Sequence, residues 1–186
     1  MDKVHYLGYI IDRHGVHVDP SKIQVICDWL ALATLTELWS FLGPDNFYHR
    51  FVLGFSHIAW SLNQVTRGGD REKIVWGMSQ QQAFDELKKR LFSSPVLSLL
   101  DLRHPFEIET DASDYVVGSI ITQHGHPVSY HSETLSDVVR NYPTYDKEMY
   151  SIVQACCQWR HYILGRETVI HTDHKPLQFM QTQGKL

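Results

Sequence analysis

The pattern of apolar and polar positions changes in character along the chain. Residues 4–18 hold two short β-prone runs around Asp12–Gly15, which predicts a hairpin with glycine in its turn. Over residues 19–93 the apolar positions recur mainly at helical spacing. From Pro105 onward, the segment PFEIETDAS alternates strictly between inward and outward positions, which predicts a strand. We therefore expect a small hairpin and a set of helices, followed by a sheet.

Local end signals predict where the first helices begin. Asp19-Pro20-Ser21 is typical of a helix start, because proline suits the first helical turn. Thr34 and Glu37 have the spacing of a capping box, with threonine at the N-cap and glutamate three residues later. Further expected features are a helix break at Gly43-Pro44, a shorter helix over 46–55 and a linker over 66–70.

A longer helix is predicted to begin at a second capping box, Ser79–Gln82, and to end at Ser94-Pro95. Its last turns carry Lys88, Lys89 and Arg90. Cations at a helix C-terminus interact favourably with the helix dipole, so this cluster has a structural explanation. The alternative is that these cations contact a phosphate group.

The second part of the chain reads β-β-β-α-β. Short connections between the first three strands imply an antiparallel meander, and the helix then crosses over to a further strand. The expected elements are strands at 105–113, 116–123 and 126–131, a helix from Thr144 to Leu164 ended by Gly165, and a strand at 168–173. The predicted fold class is α/β (α+β), a mixed sheet with helices packed on it.

Composition and charge narrow the classes of function. The chain has 186 residues and a net charge of −4, all of which lies after residue 100, so a broadly basic nucleic-acid footprint is absent. The acidic excess is either a solvated surface or a carboxylate cluster that binds a divalent cation. No apolar stretch of about 18 residues is present, which argues against a membrane span, and the N-terminus lacks a secretory pattern. Three cysteines without a disulfide framework favour an intracellular location, cytoplasmic or nuclear.

Three carboxylates are candidates for chemistry. Asp111 ends a strand at a turn-prone Asp-Ala-Ser, where an aspartate is commonly a turn cap. Glu148 shares a helical face with apolar residues, and a carboxylate there is costly unless it is paired or binds metal. Alternatively, Glu148 is partly exposed near the helix start, where the dipole favours it. Asp173 closes the last strand in the run His-Thr-Asp-His, and it too could be a simple cap.

The combination of these carboxylates strengthens the hypothesis of a metal site. If the strands of Asp111 and Asp173 are adjacent and parallel, both side chains emerge at one end of the sheet, where the crossover helix can bring Glu148. Three close carboxylates repel one another unless a dication compensates, and oxygen ligands suit Mg²⁺ or Mn²⁺. Two such ions can activate a water and stabilise the leaving oxygen of a phosphodiester. Zinc is an alternative, because His124-x-His126 and His171-x-x-His174 have usable spacings, but no CxxC or HExxH accompanies them.

Long blocks of the chain resemble the Pol polyprotein of gypsy-type LTR retrotransposons. These blocks are YLGYIIDRHGVHVDPSKIQVICDW, LWSFLGPDNFYHRF, FEIETDASDYVVGSIITQ, YPTYDKEMYSIVQACCQWRHYILG and HTDHKPLQFM. The resemblance covers nearly the whole chain and keeps the order of the motifs. It implies that residues 1–70 are the end of a reverse transcriptase palm and thumb, and that residues 71–186 are an RNase H-like domain truncated at its C-terminus.

The resemblance also implies a site and a reaction. Asp111, Glu148 and Asp173 match three of four catalytic carboxylates that bind two Mg²⁺ ions and cut RNA in RNA–DNA hybrids. The implied partners are that hybrid and the remainder of the polyprotein, with no membrane. Recognition of the hybrid through 2′-hydroxyls and groove shape fits a modest net charge.

Two parts of the family pattern have no counterpart in this sequence. The polymerase YxDD-type motif and the fourth catalytic aspartate are both absent, so DNA synthesis by this chain alone is not expected. The alternative function is therefore a non-catalytic nucleic-acid-binding or inert retroelement-derived fragment.

Overall fold

The computed structural model describes residues 3–29, 32, 34–42, 48–66 and 75–172. The chain forms two compact units, Met1–Leu99 and Leu100–Leu186. The predicted domain boundary between residues 70 and 71 lies outside the described residues and stays a prediction. Residues 67–70 of the linker expected over 66–70 and the helix break at Gly43-Pro44 lie outside them as well.

The first unit begins with a three-stranded antiparallel sheet. Its strands are β1 (Val4–Tyr6), β2 (Tyr9–Asp12) and β3 (Gly15–Val18), in that order. The hairpin predicted around Asp12–Gly15 is confirmed, because β2 pairs with β3. The run before it is divided by a second turn at Leu7-Gly8, where both residues have positive φ. The single hairpin expected over residues 4–18 is therefore a double one.

The first two helices begin at the predicted caps. They are α1 (Pro20–Cys27) and α2 (Leu35–Leu42). The Asp19 carboxylate accepts a 2.9 Å hydrogen bond from the backbone N–H of Ser21. The Glu37 N–H donates to the Thr34 hydroxyl, and the Thr34 N–H donates to the Glu37 carboxylate, which confirms the capping box.

The later helices of this unit depart from the predicted boundaries. A 3-10 helix covers His49–Phe51, and three α-helices follow: α3 (Phe55–Ile58), α4 (Trp60–Thr66) and α5 (Met78–Phe92). The single short helix expected over 46–55 is therefore wrong for its described part. The capping box at Ser79–Gln82 is also wrong. Gly77 is the N-cap residue of α5, and its N–H donates to the Gln80 side chain.

Helix α5 supplies the centre of the first unit's core. Its fully buried residues Phe84 and Leu87 pack among apolar side chains of α2, α3 and α4. At its basic end, Lys88 donates a 2.7 Å hydrogen bond to the Trp29 carbonyl, and Arg90 pairs with Glu86 at 2.7 Å. These contacts give Lys88 and Arg90 structural roles. No feature of the described residues supports the alternative that this cluster contacts a phosphate group.

Gly15 is the position in this unit where a side chain is most clearly forbidden. Its φ is +143°, and an added Cβ would collide with the Leu97 carbonyl oxygen. We expect Gly15→Ala to lower the free energy of unfolding by about 2–3 kcal/mol, combining backbone strain and steric overlap. Urea denaturation measures this loss. Gly54→Ala is the matched control, because Gly54 has φ +67° but open space around it, and it should cost only about 1 kcal/mol.

The second unit is built on a four-stranded mixed sheet. Its strands are β4 (Phe106–Ala112), β5 (Val116–Gln123), β6 (His126–Thr134) and β7 (Thr168–His171), in the order β6-β5-β4-β7. β4, β5 and β6 form an antiparallel meander, whereas β7 pairs with β4 in parallel. The predicted α/β fold class, the meander and the crossover to a parallel strand are confirmed.

Three helices lie between β6 and β7. They are α6 (Asp137–Arg140), which was not predicted, α7 (Thr144–Gln158) and α8 (Arg160–Ile163). The single helix expected from Thr144 to Leu164 breaks at Trp159, whose φ of −106° departs from helical geometry. Gly165 follows with φ +74°, as expected of a helix-ending glycine.

The buried stripe of α7 also differs from the prediction. The expected face was Glu148, Ile152, Cys156, Trp159 and Ile163. The structure buries Lys147, Glu148, Ser151, Ala155 and Trp159, and leaves Ile152 and Cys156 half-buried. The stripe is therefore rotated by one residue along most of the helix. No helix among the described residues has the length and apolar character needed to cross a lipid bilayer.

Candidate functional site

Asp111 lies near the C-terminal end of β4 on its exposed face. The strand buries Phe106, Ile108 and Thr110 and exposes the residues between them, as its alternation predicted. The turn that follows is closed by Ser113, whose N–H and hydroxyl donate to the Val116 carbonyl at 2.8 Å each. Within the described part of the chain, no hydrogen bond of the Asp111 carboxylate is found. The turn-cap role considered for Asp111 belongs to Ser113.

Glu148 is the fifth residue of α7, and it is only 5% exposed. The alternative that it is a partly exposed carboxylate near the helix start is therefore wrong. A buried carboxylate is costly unless its charge is compensated by a hydrogen bond, a cation or a metal. Glu148 thus differs from Asp111, which is exposed.

Packing of α7 on the sheet determines which end of β4 Glu148 approaches. Near the end of the helix, Ala155 and Trp159 pack with Phe106 and Ile108, at the start of β4. Two residues after Glu148, Tyr150 packs against a buried cluster of Val117, Leu135 and Val139, and Ala112, the last residue of β4, packs against the same cluster. The N-terminal turns of α7 therefore lie at the C-terminal end of β4, the end that carries Asp111.

The two carboxylates belong to different faces of the sheet. Asp111 lies with Glu107 and Glu109 on the exposed face, whereas α7 covers the face of Phe106 and Ile108. An ion shared by Asp111 and Glu148 would therefore have to lie at the C-terminal end of β4, beyond the part of the sheet that α7 covers.

Asp173, the third predicted ligand, lies outside the described residues, as does His174. The three-carboxylate site and its Mg²⁺ or Mn²⁺ ions stay a prediction. The parallel ladder ends with His171 opposite Glu109, and the His171 ring also lies 3.1 Å from the Glu107 carboxylate. Asp111 and Asp173 are separated in the sequence by the same interval as the paired residues Phe106 and Thr168.

Among the described residues, no group of three or more His, Cys, Asp or Glu is placed to hold a metal ion. These residues therefore give no support to the zinc alternative. His124 lies in the β5–β6 turn, and its ring contacts that of His104 with centroids 4.7 Å apart. The Nδ1 of His104 lies 3.2 Å from the Asp101 carboxylate. These contacts connect the loop before β4 to the β5–β6 turn.

Two polar contacts near this end of the sheet were not predicted from the sequence. The Lys147 ammonium lies 3.1 Å from Asp114 Oδ1, which links the residue before Glu148 to the turn after Asp111. The Tyr150 hydroxyl donates to Glu133 at 3.1 Å. The neighbouring His131 is the main cause that holds the pKa of Glu133 below its ordinary value; Tyr150 acts in the same direction and burial opposes both. Lys147 and Asp114, the two residues of the first contact, each lie close in sequence to a predicted metal ligand. This proximity is the sequence signal that could have indicated the contact.

A family model described as the RNase H-like domain found in reverse transcriptase matches residues 76–170. Among curated relatives, the retrovirus-related Pol polyprotein from transposon 297 of Drosophila melanogaster is 33% identical over 96% of this chain and 17% of its own length. The corresponding polyprotein from transposon gypsy is 32% identical over 96% of this chain and 18% of its own length. The transposon Tf2-3 polyprotein of Schizosaccharomyces pombe is 33% identical over 94% and 14%. The chain thus spans less than a fifth of these relatives.

Solved structures share the fold. A foamy viral protease-reverse transcriptase in complex with dsDNA gives a TM-score of 0.84 at 21% identity, covering 100% of this chain and 39% of that one. The foamy viral protein in complex with an RNA/DNA hybrid gives 0.82 at 22% identity, covering 97% and 25%.

Proposed function

Because this chain belongs to the family of RNase H-like domains found in reverse transcriptase, we propose that it hydrolyses the RNA strand of RNA–DNA hybrids. The family and the curated relatives confirm the resemblance to gypsy-type Pol polyproteins. One observation carries the proposal of activity: an exposed strand-end carboxylate, Asp111, lies at the same end of β4 as a buried helical carboxylate, Glu148.

The donor chemistry of these residues fits a hard divalent cation. Asp111 and Glu148 offer carboxylate oxygens, which are the ligands that Mg²⁺ and Mn²⁺ prefer. Asp173 is the proposed third ligand, and its sequence interval from Asp111, equal to that of the β4–β7 pairs, supports this assignment. When bound, Mg²⁺ activates a water and stabilises charge on the phosphodiester oxygens.

The residues of the chain hold and orient the reacting groups. Asp111, open to solvent, lies where the backbone of a bound hybrid can reach it, while Glu148 is held from the core side by the packing of α7. The turn closed by Ser113 restrains the backbone after Asp111. Water attacks the RNA phosphorus in line, a P–O bond forms as the P–O3′ bond breaks, and the products carry a 3′-hydroxyl and a 5′-phosphate.

The proposed partners follow from the family. The substrate is an RNA–DNA hybrid, consistent with the hybrid named for the foamy viral neighbour. The proposed protein partner is the remainder of a reverse transcriptase polyprotein, because this chain matches only 17% of the length of the Pol polyprotein from transposon 297. The proposed location is intracellular, either cytoplasmic or nuclear, and no membrane is proposed as a partner.

Cleavage of a labelled hybrid tests the proposed function. Incubated with 5′-labelled RNA annealed to DNA, the purified chain should produce shorter RNA fragments with Mg²⁺ and none with EDTA. The same sequence as duplex DNA is the control and should stay intact. If the hybrid is bound in a salt-dependent manner but not cut under any of these conditions, the chain is the non-catalytic binding fragment and the nuclease proposal fails.

A further inference from the structure

Lys147 is a buried lysine next to a proposed metal ligand. Its side chain is only 10% exposed, whereas that of its partner Asp114 is 96% exposed. Lysine is almost never fully buried unless its ammonium is paired, and here Nζ lies 3.1 Å from Asp114 Oδ1. The two partners therefore differ in exposure: the lysine side chain is largely buried, whereas the aspartate side chain lies in solvent.

The two partners join the segments that carry Asp111 and Glu148. Lys147 directly precedes Glu148 in α7, and Asp114 lies three residues after Asp111. The turn that carries Asp114 is itself fixed, because Ser113 bonds the Val116 carbonyl and the Tyr115 carbonyl accepts from the Leu135 N–H at 2.8 Å. The ion pair thus connects a restrained turn to the N-terminal turns of α7.

We propose that Lys147 is a positioning residue, which acts through Asp114 to hold Asp111 and Glu148 in the relative placement that binds the divalent cation. This inference rests on the proposed function of the same site. Lys147 acts through its partner because its side chain is largely buried and its ammonium lies 3.1 Å from the Asp114 carboxylate. Groups that orient the ligands of a metal commonly change metal affinity about 10- to 100-fold when they are removed.

The unequal exposure makes Lys147→Met an informative variant. Methionine replaces most of the lysine stem, and Asp114 remains solvated, so no uncompensated charge is left in the core. We expect the thermal midpoint of this variant to stay close to that of the wild type. Its affinity for Mn²⁺ should fall about 10-fold or more, with a matching rise in the Mg²⁺ concentration that gives half-maximal cleavage.

Mn²⁺ binding, measured by loss of the free-ion EPR signal, provides a readout that does not depend on activity. The binding that disappears in Asp111→Asn defines the site. Lys147→Arg should retain most of this affinity, because it keeps the cation. Arg103→Met is the matched control: it removes one positive charge and the Arg103–Asp101 ion pair at the opposite end of β4, and its Mn²⁺ affinity should be unchanged.

Three outcomes separate the possibilities. If folded Lys147→Met binds Mn²⁺ as tightly as the wild type, the positioning role is overturned and the proposed nuclease stands. If wild type and Asp111→Asn bind Mn²⁺ equally and neither cuts the hybrid, the proposed function fails, and this inference with it. If Lys147→Met does not fold, Asp114→Asn removes the ion pair from its exposed side, and wild-type affinity in that variant would overturn the proposal.

Discussion

Asp111→Asn is expected to lower Mg²⁺-dependent cleavage of an RNA–DNA hybrid by about 100-fold or more, the effect of removing one group that stabilises transition-state charge. Asparagine keeps the shape of the side chain and removes the negative charge that would hold the cation. Because Asp111 is exposed and the neighbouring turn is closed by Ser113, the substitution should leave the fold intact.

Single-turnover cleavage of the labelled hybrid at saturating Mg²⁺ measures this loss. Glu109→Gln is the matched control, since Glu109 is an exposed carboxylate on the same face of β4, two residues before Asp111. The control should cut at nearly the wild-type rate. An equal loss in both variants would indicate a general effect of surface charge on hybrid binding, and an unchanged rate in Asp111→Asn would remove Asp111 from the site.

The sheet of the second unit could be predicted because its signals are local. The alternation in β4 identifies its two faces, and short connections determine that β4, β5 and β6 pair in sequence order. A helix between two strands favours a parallel return on topological grounds, and β7 does pair with β4 in parallel. Alternation and short connections are local signals, whereas the β4–β7 pairing follows from the order of the elements along the chain.

Errors arose where packing, and not local pattern, determines the outcome. Spacing alone placed Ile152 and Cys156 on the buried stripe of α7, but contact with the sheet buries Ser151 and Ala155 instead. Serine and alanine are small and weakly apolar or polar, so hydrophobicity alone does not indicate that they are buried. At the break in the helix, the Trp159 side chain is buried in the core that contains Phe106.

The candidate site also has features that the sequence predicts and features that depend on packing. Residue type and position within elements were enough to select Asp111 and Glu148, and the topology explains why one end of β4 receives both. The supporting contacts could not be predicted, because they join residues that are distant in sequence. Asp114 and Lys147 are 33 positions apart, and only the folded chain brings them together. Supporting groups of this kind determine how precisely the ligands of a metal are held.

Trp159→Ala is expected to destabilise the second unit by about 3–5 kcal/mol, the usual cost of removing a large aromatic side chain from a packed core. Trp159 is 2% exposed, packs with Phe106 and Ile108, and makes an edge-to-face contact with His131 at a centroid distance of 6.4 Å. Because Trp159 anchors the end of α7 on β4, its loss should also loosen the helix that carries Glu148.

Hydrogen exchange of the β4 and β5 amides reports the unfolding free energy of this unit within the intact chain. Val153→Ala is the control on the same helix, because Val153 is 48% exposed and should change protection by less than about 0.5 kcal/mol. If Trp159→Ala also changes protection this little, α7 is not held on the sheet by this core. The proximity of Glu148 to the end of β4 would then need another cause, such as the packing of Tyr150 against the cluster of Val117, Leu135 and Val139.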